Sequence, residues 1–205
     1  PKQTCAVKGV ASCLRICDDR SGYGPEDLVV QRDEALRSWC QAASEVIEPS
    51  EAKTVPPFAL ACRAYEAWRE MAGTPLPARQ DLDPIVLGAG LLPYLSIIEV
   101  IESTNDYKWV LVGERMPGIV GTRLKDNFLS QIEEQVGEIV LFRDLLEQVK
   151  RERKPLFYIL RHRTTDGSRK RSYGVLLPLR DRELGDETPV VVASILSAGD
   201  ATTGA

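Results

Sequence analysis

The chain has 205 residues, 43% hydrophobic and 27% charged, with a formal net charge of −4. This is the composition of a soluble globular protein with a core large enough to need no staples, and its mild acidity excludes a global basic field for nucleic acid. No run of about 18 apolar residues would span a membrane, and the first residues carry no apolar core of signal-peptide length, so a cytoplasmic protein is expected.

In chain order, residues 1–24 are small, mixed and turn-rich. Residues 26–47 carry a partial helical stripe (Leu28, Val29, Ala35, Leu36, Trp39, Val46), and residues 48–57, with three prolines, read as a linker. Phe58–Met71 is an amphipathic helix by its 3.6-residue spacing, stopped by Gly73 and Pro75. Asp83 is placed to cap a short helix that Pro84 opens and Pro93 bars from continuing. Strands are expected at Leu95–Ile101 and Tyr107–Val112, around a turn at Asn105-Asp106. A short helix or turn before Gly121 and another near Lys125–Leu129 lead into a long helix, Ile132–Arg151, which Pro155 follows. Strands Leu156–Arg163 and Tyr173–Leu179 flank an Asp166-Gly167 hairpin signal, and a last strand covers Val190–Leu196. Helices inserted between strand groups, with hairpin-length links after them, predict an α+β fold with antiparallel pairing.

All five cysteines, Cys5, Cys13, Cys17, Cys40 and Cys62, lie in the first third. An odd count in a chain of this size does not suggest a disulfide framework. Cys13 and Cys17 share a helical face and could join Cys5 on a metal, but the favoured reading is reduced thiols, with no metal site.

The segments LPARQDLDP (Leu76–Pro84), LLPYL (Leu91–Leu95), LVGERMPGIVGTRLKDNFL (Leu111–Leu129) and LPL (Leu177–Leu179) together resemble the PAS-domain superfamily, and in particular a bacterial group of single-domain PAS-like proteins with that preface. The resemblance covers residues 58–197. It implies a five-stranded antiparallel sheet in the order 2-1-5-4-3 with helices on one face, to which the chain adds an N-terminal helical extension. It divides the chain into an extension and linker (1–57), partly helical or loosely ordered, a PAS-like domain (58–197) and a tail (198–205). It also implies a cavity between sheet and helices. By strand alternation and helical spacing, Trp109, Leu111, Ile119, Leu124, Phe128, Phe142, Leu146 and Leu160 are expected to wall it, with strand parity uncertain by one residue at Leu111 and Val110.

The resemblance fixes no cofactor. A photoactive flavin needs a nearby cysteine and none follows Cys62. Haem needs an axial ligand; the only histidine, His162, stands between Arg161 and Arg163 on a strand, and Met116 is a weaker candidate. Neither haem nor flavin is therefore expected. One histidine and no nucleophile-elbow motif argue against a hydrolase triad, so no catalytic residue is assigned. Residues 150–182 hold eleven Lys/Arg against three acids, an excess of +8 that leaves the remainder at −12. Arg161, Arg163, Arg169, Lys170 and Arg171 form a candidate docking patch around one hairpin. Phe58, Leu60, Tyr65 and Trp68 give the helix before the first PAS strand the apolar surface of a dimerising helix.

The expected function is that of a non-enzymatic sensory or adaptor domain in bacterial signalling, acting through contacts with a protein partner or its own copy as a homodimer. One alternative is a small-molecule receptor with a ligand in the cavity. A second is nucleotide or nucleic-acid binding through the basic hairpin 161–171, although nucleic acid is not the favoured partner. The turn RQDLDP is expected to be structural: Asp83 caps the short helix while Arg79 or Asp81 ties the preface to the domain.

Overall fold

A computed structural model describes residues 44–71, 76–82, 84–136, 140–163, 169–180 and 191–198. Their elements are β1 (Ser44–Ile47), α1 (Pro49–Ala52), α2 (Ala59–Met71), α3 (Pro84–Leu87), β2 (Leu95–Ile101), β3 (Asp106–Val112), α4 (Met116–Val120), α5 (Leu129–Val136), α6 (Val140–Glu152), β4 (Leu156–Arg163), β5 (Arg169–Leu179) and β6 (Val191–Ala198). Short 3₁₀ turns lie at Pro56–Phe58, Arg79–Asp81 and Leu92–Tyr94.

The strands form one antiparallel sheet in the order β1-β4-β5-β6-β2-β3. Numbered from β2, the last five strands run 2-1-5-4-3 from the β3 edge, as expected. The sixth is β1, which pairs Ser44–Ile47 with Phe157–Leu160. Residues 44–47, read from sequence as the end of a helix, are therefore a strand, and part of the expected linker forms α1 and a 3₁₀ turn. Four residues are too few for a period-two pattern to stand out. The pairing partner that makes them a strand lies more than a hundred positions away.

The sheet is covered on both faces, not one. Even-numbered residues of β4, β5 and β6 (Leu156, Tyr158, Leu160, Leu176, Val192, Leu196) join Ile98, Val100, Tyr107 and Trp109 in a core closed by α4, α5 and α6. Odd-numbered ones (Phe157, Tyr173, Val175, Leu177, Ile195) join Ile97 in a second core closed by α2. Alternation along each strand feeds both cores, so the middle of the sheet reads as nearly continuous apolar sequence.

Helix α2 buries Ala61, Ala64 and Trp68. The two alanines let it lie close to the sheet, and the Trp68 indole Nε1–H donates to the Pro178 carbonyl at 2.9 Å. The expected single helix Ile132–Arg151 is instead two, α5 and α6. Arg143 Nη2 reaches Glu133 Oε2 at 2.9 Å, although ten residues of straight helix rise about 15 Å, so the two helices are not one rod.

The segments that carried the family resemblance touch one another. A Cβ on Gly113 would fall 2.4 Å from the Pro93 carbonyl oxygen, so the LVG glycine is what lets β3 end against LLPYL. Arg79 N donates to Arg180 O (2.8 Å), and Arg180 N to Pro77 O (3.0 Å), just past LPL. Within the preface, Ala78 N donates to Asp81 Oδ2 at 3.0 Å, and the Arg79 guanidinium donates to Glu99 on β2. Arg79 thus ties the preface to the domain, while the Asp81 bond to Ala78 N braces the turn within the preface. The expected cap Asp83 and the hairpin turn at 165–168 lie outside the described residues.

Candidate functional site

The cavity lies between the sheet and α4–α6. Trp109, Leu124, Phe142 and Leu160, four of the eight expected residues, line it. Ile119 and Leu146 are buried in the same core but behind the lining. Two expectations are corrected. Leu111 is 45% exposed. The β2–β3 register passes from Ile97↔Leu111 to Ile98↔Trp109, a bulge that leaves Val110 without an opposite residue. Two residues then oppose one and the alternation shifts phase: Trp109 stays on the cavity face, while Leu111 pairs with Ile97 on the other. The swap allowed from sequence, Val110 for Leu111, also fails, since Val110 packs against the α2-side core. Phe128 is half-buried, in a bridge with Lys108 at the outer side of β3, where the Lys108 ammonium stands 5.7 Å from its ring centroid.

The sequence reading missed Tyr158, Ser194 and Leu196 as lining residues and knew Met116 only as a haem candidate; Val120 completes the set. Tyr158 was within reach of alternation, standing two residues before Leu160. Its ring lies across β5 because position 174 is glycine: a Cβ there would fall 2.6 Å from Tyr158 Cζ and 2.8 Å from the Ile195 carbonyl oxygen. The Tyr158 hydroxyl is fully buried, 3.4 Å from Ser194 Oγ, and burial pushes its pKa well above the ordinary phenol value. Tyr158 is thus a neutral hydrogen-bonding group, not a base.

The cavity holds about 30 Å³. A water needs about 10–15 Å³ on this measure, whereas small-molecule sites span about 300–1,000 Å³. Haem or flavin does not fit this volume. Cys62 is on α2, across the sheet from the cavity, and burial raises its thiol pKa. The other four cysteines, with the weighed metal reading of Cys5, Cys13 and Cys17, lie outside the described residues.

A polar network locks the helix layer to β3. Asp106, mostly buried, accepts from its neighbour Tyr107 N (2.8 Å), Ser130 Oγ (2.6 Å) and Arg143 Nη2 (3.1 Å). Burial by itself raises this carboxyl, but the bonds from Ser130, Tyr107 and Arg143 outweigh it and hold its pKa below the usual range. The Arg143 guanidinium bridges Asp106 and Glu133, and the Tyr107 hydroxyl donates to Glu147 Oε1 at 2.6 Å. The network joins β3, α5 and α6.

The residues expected to dimerise serve the chain's own fold. Phe58 is fully buried, edge-on to Phe157 (5.9 Å) and Tyr173 (5.2 Å). Trp68 is 7% exposed, and Tyr65 stacks on it while presenting its ring to the edge of Phe157. Leu60 is half-buried beside them. Three of the basic residues are half-buried: Arg161, Lys170 and Arg171. The register sets Arg161 opposite Arg171, His162 opposite Lys170, and Arg163 opposite Arg169. Lys170 Nζ donates to Gly118 O on α4 at 3.2 Å.

A family model described as a PAS domain matches residues 59–192. No curated protein sequence matches the chain. Among solved structures, the chain is similar to a Rhodobacter sphaeroides LOV protein at 14% identity and a TM-score of 0.41, over 53% of this chain and 60% of that one. It is also similar to the light-state LOV domain of the blue-light photoreceptor Aureochrome1 (15%, TM-score 0.37, 54% and 84%) and to an RNA-binding light-oxygen-voltage receptor (10%, TM-score 0.41, 84% and 64%).

Proposed function

The chain belongs to the PAS domain family, a family of sensory signalling domains, and from that premise we propose that it is a non-enzymatic adaptor acting through protein–protein contacts. The observation that carries this reading is the filled interior. Aromatic and aliphatic side chains reduce the cavity to about 30 Å³, room for a water or two. A core without space for a cofactor leaves the surface of the domain to transmit. Fold alone does not fix function, so the test addresses the interior directly. Native mass spectrometry of the purified protein is expected to give the polypeptide mass alone; a stoichiometric small-molecule adduct would overturn the adaptor reading.

One observation favours a receptor as the second reading. The cavity is apolar except at one spot, where the Tyr158 hydroxyl and Ser194 Oγ face each other at a long 3.4 Å. Such a pair would orient a very small polar ligand inserted between them, and that adduct is the one the mass measurement would reveal.

A further inference from the structure

We infer that the core cavity is a hydration site, in which an internal water is held by the hydroxyls of Tyr158, Ser194 and Ser96. The sheet sets these three groups side by side. Gly174 lets the Tyr158 ring cross β5, which brings its hydroxyl to 3.4 Å from Ser194 Oγ on β6. Ser96 of β2 is the register partner of Ser194. Opposed residues of an antiparallel pair share a face, with Cβ atoms about 5 Å apart, so Ser96 stands beside Ser194 on the face where Ser194 lines the cavity. Ser96 is fully buried, and among the described residues nothing bonds its Oγ. The 3.4 Å between Tyr158 and Ser194 is long against the about 2.5–3.0 Å of an ordinary O–H···O bond. One spot therefore gathers three buried hydroxyls whose bonding capacity is poorly used, and a buried hydroxyl left so forfeits the bonds it made to water in the unfolded chain.

Size and polarity both fit water. The cavity holds about 30 Å³, where one water takes about 10–15 Å³ and is kept by two to four polar partners. Three hydroxyls, each able to donate and accept, meet that need. The facing wall, with Trp109, Phe142 and Leu196, is apolar and offers no bond, so the water belongs at the serine end. Ser172 provides an internal contrast. It too is fully buried with an unpartnered Oγ, but its register partners are Leu160 and Ala198, and Gly174 follows it on the same face. None of these has a polar side chain with which to share a water. Ser194 pairs with Leu176, about 13 Å along β5 from Ser172 by the rise per residue, beyond the reach of a single bridging water. The inference goes beyond the adaptor reading and does not depend on it: it assigns the occupant of the interior, whatever the surface engages.

The test compares Ser96→Ala, Ser172→Ala and Tyr158→Phe in the full chain by urea denaturation, with long-lived internal waters counted by oxygen-17 magnetic relaxation dispersion. Ser96→Ala is expected to lower the folding equilibrium constant about fivefold, the weight of one hydrogen bond, and to lower the count by one water. Ser172→Ala is expected to leave the count unchanged and the constant equal or higher, because it removes a hydroxyl that bonds nothing. Ser96→Ala combined with Tyr158→Phe should cost less than the two losses added, since both act on the same water. Ser194→Ala replaces Tyr158→Phe in that cycle if the phenylalanine variant is too unstable to measure. An unchanged water count in Ser96→Ala overturns the proposal, whatever its stability. So does an equal loss of stability in Ser96→Ala and Ser172→Ala, or additive costs in the cycle. A stoichiometric small-molecule adduct in the mass spectrum also overturns it, by giving the cavity another occupant. An adduct-free spectrum with an unchanged water count would sink the hydration site and leave the adaptor reading standing.

Discussion

The two faces of the sheet are closed in different ways. On one, α2 lies flat on Ala61 and Ala64 and anchors Trp68 by a hydrogen bond to Pro178 O, with Ala52, Leu87 and Leu91 from short segments packed beside it. Its aromatic side chains lock edge-to-face with Phe157 and Tyr173. On the other, three helices, α6 as long as α2 and two shorter ones, roof the core, and a polar network fastens two of them to β3. The cavity, small as it is, lies under this second roof. The first face centres on one well-packed helix locked by aromatic contacts. A face closed by several pieces and directional bonds depends on each of those joints being made.

The largest expected effect tests the locked face. Trp68→Ala removes a buried indole and leaves the Pro178 carbonyl without its donor, at a cost of about 3–5 kcal/mol, read as a lower urea midpoint. A loss below about 1 kcal/mol would show that α2 is not the anchor described, and the contrast between the faces would collapse.

The next tests the jointed face through pH. The folded state holds the Asp106 carboxyl below its ordinary pKa. Its contribution to stability is therefore fully present above the unfolded value of about 3.9 and is lost as pH falls below that through the folded pKa. Stability measured by chemical denaturation should drop across that acid window. Asp106→Asn should lower stability at neutral pH, because Arg143 and Ser130 lose their charged acceptor, and should flatten the acid slope. A variant with the same slope as wild type would place the acid sensitivity elsewhere.

The smallest expected effect is at the preface. Arg79→Ala breaks the pair with Glu99, both side chains being about one-third exposed, and should cost no more than about 1 kcal/mol, since the backbone bonds to Arg180 remain. A cost as large as that of Trp68→Ala would make the preface a structural equal of α2.

Much of this architecture could be read along the chain. The helix of residues 59–71, the strands of residues 95–101 and 156–163, and the α+β order follow from local spacing and from prolines, which act on their immediate neighbours. So did three of the nine wall residues, Trp109, Phe142 and Leu160, which hold their faces by the periodicity of their own elements, while Leu124 reaches the wall from the loop after α4. Other features depended on partners far away. Ser44–Ile47 became a strand only by meeting Phe157–Leu160. Leu111 turned outward because a bulge against β2 shifted its phase. The opposed arginines exist only in the β4–β5 register, and the network around Asp106 joins positions 106, 130, 133 and 143 from three elements. The sequence by itself determined the elements and their order, because dihedral preference and apolar periodicity act over a few residues. The tertiary structure decided register, the second covered face and the volume left inside, because those depend on which distant side chains compete for the same space.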